Sequence, residues 1–195
     1  MNDIYKEFEA LRTEIHEWQK MRIYLLVSFM TIYSTAIFYT LANIEDYADN
    51  ILPFGTIALS IIFGISLLYY YLAIGNIRKG SYIQVFIEEK KDSLFKWESR
   101  RSKFIQQQKL NLNNTSGIIL FIYTIITIII IIMKFNLAKL FSLDKIIFAE
   151  SILFTIITIL TFVMLFRLIF DTGNKERDGF IEIWRTIREN EGDFI

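Results

Sequence analysis

The chain contains no cysteine, one proline and one histidine in 195 residues. Each shortage excludes something. Without cysteine there are no disulfides, no thiolate nucleophiles and no cysteine-built metal sites, and the redox compartment stays undetermined. The lone His16 stands beside Glu14 and Glu17 without a second histidine at metal-ligand spacing, and neither a Walker A loop nor a glycine-rich dinucleotide fingerprint is present. His16 therefore reads as a solvated helix residue, and the chain is not expected to be an enzyme or to carry a metal or cofactor. Charge of one sign is also lacking: 21 Lys and Arg face 21 Asp and Glu. A basic field for nucleic acid is absent, so no nucleic-acid partner is expected. The segment 1–20 has charged, periodic composition instead of a basic tip, an apolar core and a small-residue cleavage site, so it does not read as a cleavable signal peptide.

What the chain does have is apolar residues, at 53% against roughly 45–50% in ordinary soluble domains. They fall into four blocks from which the charged residues are nearly excluded. The blocks cover residues 23–41, 51–74, 118–133 and 146–170, each close to the ~20 residues that a helix needs to cross ~30 Å of hydrocarbon. Pro53 lies in the first turn of the second block, where its missing N–H costs nothing. The third block is rich in isoleucine and would favour a strand in water, but in lipid the backbone must satisfy its own hydrogen bonds, which selects helix. The expected fold is all-α: an integral membrane protein of four helices with amphipathic cytoplasmic helices. Its expected division is an amphipathic helix at 1–22, a first transmembrane hairpin at 23–75, a cytoplasmic helical segment at 76–117, a second hairpin at 118–170 and a cytoplasmic tail at 171–195.

Orientation follows from Lys and Arg. One side carries Lys6, Arg12, Lys20 and Arg22, then Arg78, Lys79, Lys90, Lys91, Lys96, Arg100, Arg101, Lys103 and Lys109, then Lys175, Arg177, Arg185 and Arg188; the other carries Lys134, Lys139 and Lys145. The positive-inside rule puts both termini in the cytoplasm. Heavy use of Ile, Lys and Asn points to an AT-rich bacterial genome, so the expected location is a bacterial inner membrane with the lipid bilayer as first partner.

The segments between the blocks are patterned too. Ile4, Phe8, Leu11, Ile15 and Trp18 make an apolar stripe at helical spacing, with acidic residues outnumbering basic ones around it, which favours packing on a partner helix over binding anionic lipid. Phe180, Ile183, Trp184 and Ile187 make a second stripe in the tail. Gly75 and Gly80 are expected to loosen the chain as it leaves the second block, and residues 111–117 read as turn. Because these cytoplasmic pieces each have one apolar face and no core of their own, they are expected to pack together, within or between subunits.

Polar residues inside the apolar blocks supply the candidate site. Glu150 stands one turn into the fourth block, where a carboxylate is expensive to bury and tends to face a bundle interior or a water-filled path. Ser151, Thr155 and Thr158 follow it at helical spacing, and Ser28, Thr31 and Thr35 make a matching stripe on the first block. The stripes read either as the lining of a polar conduit or as hydroxyls bonded to carbonyls one turn back, with Glu150 in the headgroup layer. Glu45, Asp46 and Asp49 in the first outer loop would form an acidic ring in a symmetric oligomer and a solvated turn in a monomer. Ser60 and Gly64 form a small pair fit for close helix contact.

The run Tyr82-Ile83-Gln84-Val85-Phe86-Ile87-Glu88-Glu89, followed by Lys96-Trp97-Glu98-Ser99-Arg100, resembles a pattern in small multi-span bacterial membrane proteins, some of which accompany antiphage defence genes. The resemblance covers about twenty residues and the hairpin layout. It implies a membrane effector of an antiviral system, acting as a homo-oligomeric pore or ion channel that disrupts the membrane gradient, or else a membrane sensor or scaffold that recruits a soluble partner. Phe86, Glu88, Glu89, Trp97, Glu98, Arg100 and Arg101 are the expected cytoplasmic contact residues.

Overall fold

The computed structural model describes residues 2–42, 51–89, 112–134, 145–171 and 174–190. Helix α1 runs from Asn2 to Ala42 without a break. No glycine or proline interrupts those residues, so the amphipathic stretch and the first apolar block merge into one rod of about 62 Å, roughly twice the hydrocarbon thickness. Helix α2, Ile51–Tyr82, is equally continuous and is prolonged by a six-residue π-helix, Ile83–Glu88. Helix α3 is Leu112–Lys134, and α4 is Lys145–Phe166, which passes into a second π-helical stretch at Arg167–Asp171 before α5, Asn174–Asn190. Residues 112–117, read from sequence as turn, open α3 instead.

Four of these helical stretches are long and apolar enough to cross a membrane. Their outward faces are apolar as well: Ile32 and Phe38 on α1, Ile132 and Met133 on α3 and Phe148 on α4 are all exposed. Such surface is stable against acyl chains and not against water, and the chain is accordingly built as a multi-pass membrane protein.

Helix α2 is the hub, because α1, α3, α4 and α5 all pack against it. Its buried Leu59, Ile62 and Tyr69 form the main core with Phe29 and Tyr33 of α1, Leu120 of α3 and Leu165 and Leu168 at the end of the fourth span. A smaller cluster joins Ile51 and Leu52 to Ile131 at the far end. Three hydroxyl pairs stitch α3 to its neighbours: Tyr33 with Thr127 at 2.6 Å, Ser34 with Tyr123 at 2.7 Å and Tyr69 with Ser116 at 2.5 Å. Hydrogen bonds between hydroxyls of neighbouring helices are one way in which polar side chains hold membrane helices together.

Gly75 departs from its sequence reading. It does not loosen the chain; it lies inside α2, and a Cβ there would overlap the six-membered ring of Trp18. Gly80 is likewise within the helix. Gly75 therefore serves close approach of α1 to α2, which is the use of small residues in membrane packing. Gly64, by contrast, has nothing within 4 Å of a Cβ built on it among the described residues.

The Trp18 contact gives a direct test. Gly75→Leu is expected to destabilise the protein by about 1–3 kcal/mol, the usual cost of overpacking. Thermal unfolding in detergent would measure it, and Trp18→Ala in the same chain should recover a large part of the loss; no recovery would mean that Trp18 is not what Gly75 accommodates.

Candidate functional site

Among the described residues, the charged end of the bundle brings together the first half of α1, the last turns of α2 with its π-helix, and α5. A π-helix closes i to i+5 hydrogen bonds, and here the Glu89 N–H donates to the Gln84 carbonyl at 3.0 Å. Such turns are rare and concentrate at functional positions. The wider turn buries four of its six residues, Ile83, Val85, Ile87 and Glu88, where a regular helix would present one stripe.

One side of the π-helix meets α1. Ile83 and Ile87 bury against Phe8 and Ile15, with Leu11 and Phe86 at the margin. Around this apolar contact Lys79 pairs with Glu14 while its ammonium sits 3.3 Å from the centroid of the Trp18 ring, and the Tyr82 hydroxyl donates to Glu7 at 2.7 Å. The stripe Phe8, Leu11, Ile15 and Trp18 thus faces α2 as its spacing implies, and His16 is exposed.

The other side meets α5. Arg185 donates two hydrogen bonds to the Glu89 carboxylate, at 2.5 and 3.3 Å, and Arg188 lies 3.5 Å from the same group. Arg188 also donates to the Val85 carbonyl at 2.7 Å. Arg177 donates to the Gln84 side chain at 2.8 Å, and Trp184 sends its indole N–H to the Arg78 carbonyl at 3.3 Å. Tyr82 and Phe86 stack with centroids 4.7 Å apart, and Trp184 stands edge-on to both. The hydrogen bond to Glu89 raises the Arg185 guanidinium above its ordinary value, against the opposing effect of desolvation, so that cation persists at any working pH.

Of the contact residues expected from sequence, Phe86, Glu88 and Glu89 fall on this one turn, with Glu88 almost fully buried. Trp97, Glu98, Arg100 and Arg101 lie outside the described residues, as do Glu45, Asp46 and Asp49 of the acidic loop. The basic partners of Glu89 come from α5, a contribution the sequence reading missed. A signal was there: Arg177, Ile181, Trp184 and Arg188 share one helical stripe, so two arginines stand on the buried face. The stripe actually used includes buried Ile181, while Ile183, assigned to it from sequence, is exposed.

The polar stripes of the spans have a different disposition. Thr31 and Thr35 donate to the carbonyls of Val27 and Thr31, and Ser151, Thr155 and Thr158 to those of Ile147, Ser151 and Phe154, at 2.7–3.0 Å. Each of these hydroxyls is satisfied by its own helix one turn back. Helices α1 and α4 both pack on α2 and share no substantial interface, so a single chain does not bring Ser28, Thr31 and Thr35 against Ser151, Thr155 and Thr158. Glu150 is half-buried near the start of α4. Among the described residues no group of three His, Asp or Glu side chains is placed to hold a metal.

Compared with protein-family models, curated proteins and solved structures, the chain finds no match in any of the three.

The contacts of α5 separate into two kinds that salt distinguishes. Arg185 is half exposed, so its coupling to Glu89 in a double-mutant cycle is expected at only ~0.2–1 kcal/mol and should shrink in high salt. Arg188→Ala also takes the donor from the carbonyl of buried Val85 and is expected to cost about 1–3 kcal/mol, of which only the part that comes from its pairing with Glu89 should fall in high salt. Thermal unfolding in detergent at two ionic strengths separates them.

Proposed function

We propose that this chain is a membrane-embedded sensor or scaffold that engages a soluble protein through its charged helical end and carries that engagement into the membrane bundle. The observation that supports it best is mechanical continuity. Helices α1 and α2 run unbroken from the apolar bundle into the charged end, where the π-helix ties them to α5. A load placed on α5 would reach α2 through Glu89, Val85 and Gln84, and α2 contacts every other α-helix. A bistable element that both sites bias is what such coupling needs, and a π-helix within a longer helix supplies one, since it differs from the α form by one residue of register.

The setting we propose is bacterial antiviral defence, carried by the resemblance of the run from Tyr82 to Glu89 and of the Lys96-Trp97-Glu98-Ser99-Arg100 segment. In that setting both termini and the charged end face the cytoplasm of the inner membrane. A second reading, the homo-oligomeric pore, has one observation in its favour: Ser28, Thr31 and Thr35 lie on an exposed face of α1 that further copies would have to turn inward. It requires assembly, because one chain leaves the two polar stripes on separate helices.

Controlled expression in a bacterium with a membrane-potential dye decides between the readings. For a sensor or scaffold, the wild type leaves the potential unchanged when expressed alone, and Arg185→Glu with Arg188→Glu abolishes proximity labelling of soluble partners while the protein stays in the membrane. Depolarisation by the wild type that Glu150→Ala or Thr31→Val with Thr35→Val alters would overturn the scaffold in favour of the pore.

A further inference from the structure

One backbone acceptor at the end of α2 has two claimants. In an α-helix the Glu89 N–H would donate to the carbonyl four residues back, that of Val85. Here it donates five residues back, to the Gln84 carbonyl at 3.0 Å. A backbone N–H is a single donor, so the π register withholds from the Val85 carbonyl the donor that the α register would give it. Val85 is fully buried, where an unpaired carbonyl is unfavourable. Arg188 of α5 donates to that carbonyl at 2.7 Å.

The other arginines of α5 grip the two residues of the i to i+5 bond itself. Arg177 donates to the Gln84 side chain at 2.8 Å, Arg185 donates to the Glu89 carboxylate, and Arg188 lies 3.5 Å from the same carboxylate. Both ends of the bond, and the carbonyl that it bypasses, are thus held by one helix. Withdrawal of α5 would remove all of these contacts together, and a return to the α register would then restore a donor to Val85.

The same turn seats α1. Ile83 and Ile87 bury against Phe8 and Ile15, while Phe86 stays half-buried at the margin of that cluster. With the helix fixed at Tyr82, a turn that closes after five residues brings Ile87 to the place where a turn that closes after four brings Phe86. The register therefore decides which of the two side chains α1 meets.

We propose that Arg188 is a register lock: docking of α5 holds Ile83–Glu88 in the π form, and undocking returns the turn to the α form, which exchanges Ile87 for Phe86 against α1. Because α1 continues without a break into the first candidate span, the exchange acts on a helix of the membrane bundle. That a soluble protein works the lock through α5 rests on the function proposed above, whereas the lock itself rests on contacts within the chain.

The chain has no native cysteine, so introduced pairs can be cross-linked without background. Two versions of the full chain, Phe8→Cys with Ile87→Cys and Phe8→Cys with Phe86→Cys, are oxidised in membranes, and the remaining thiols are counted by maleimide labelling after denaturation. With Arg188 in place the pair with position 87 is expected to link in preference. Arg188→Ala should move the ratio of the two yields about tenfold toward position 86, the population change expected when one charge-assisted hydrogen bond is lost. Arg188→Lys, which keeps a donor, and Arg185→Ala, which leaves the Val85 carbonyl bonded, should both retain the original preference. An unchanged ratio in Arg188→Ala would overturn the proposal. So would the loss of both cross-links, since α5 would then hold this end together without selecting its register, and so would an equal shift in Arg185→Ala, which would take the lock away from the Val85 carbonyl. A ratio that shifts as expected while proximity labelling finds no soluble partner would sink the scaffold and leave the lock standing.

Discussion

Backbone N–H and C=O groups in hydrocarbon have no water to bond, and the rest of this structure depends on that constraint. It makes the spans unbroken helices even where isoleucine-rich sequence would favour a strand in water. It also decides what the hydroxyls do. Thr31, Thr35, Ser151, Thr155 and Thr158 return to their own helices, and Tyr33, Ser34 and Tyr69 find hydroxyl partners on α3. Polar side chains of the described spans thereby serve the cohesion of the helices and of the bundle.

The same constraint relaxes where the helices leave the apolar bundle. There a π-helix replaces the regular pattern, and side chains donate to the backbone of this stretch: Arg188 to the Val85 carbonyl and Trp184 to the Arg78 carbonyl. Those donors come from α5, so the local irregularity of α2 and the docking of the C-terminal helix stabilise one another. Through those contacts α5 is joined to α2 and its π-helix. Irregular backbone held by partners from elsewhere in the chain is also where a two-state response is cheapest to build.

Much of this was legible in sequence. Four charge-poor blocks of near-spanning length, helix in all of them, and the Phe8, Leu11, Ile15 and Trp18 stripe all follow from local rules: hydrophobic transfer, length and period. Phe86, Glu88 and Glu89 were singled out from the sequence, and they fall on the π-helical turn or at its end. Their partners were not, because Arg185 and Arg188 lie some hundred residues away and only folding brings α5 against α2. Gly75 was misread for a related reason: glycine signals either freedom or close approach, and the choice depends on whether a ring such as that of Trp18 is on the other side.

What the sequence by itself determined is therefore the one-dimensional part: how many apolar helices there are, where they run, and which faces are apolar, since each is set by residues a few positions apart. Only the tertiary structure decided that α2 is the hub, that α1 carries through into the charged end, that the two polar stripes stay apart within one chain, and that Arg22 sits on the Tyr69 ring. Those facts depend on which helix faces which. Hydrophobic pattern cannot specify that in a membrane protein, where lipid and neighbouring helices are equally apolar and the choice falls to shape, small residues and single hydrogen bonds.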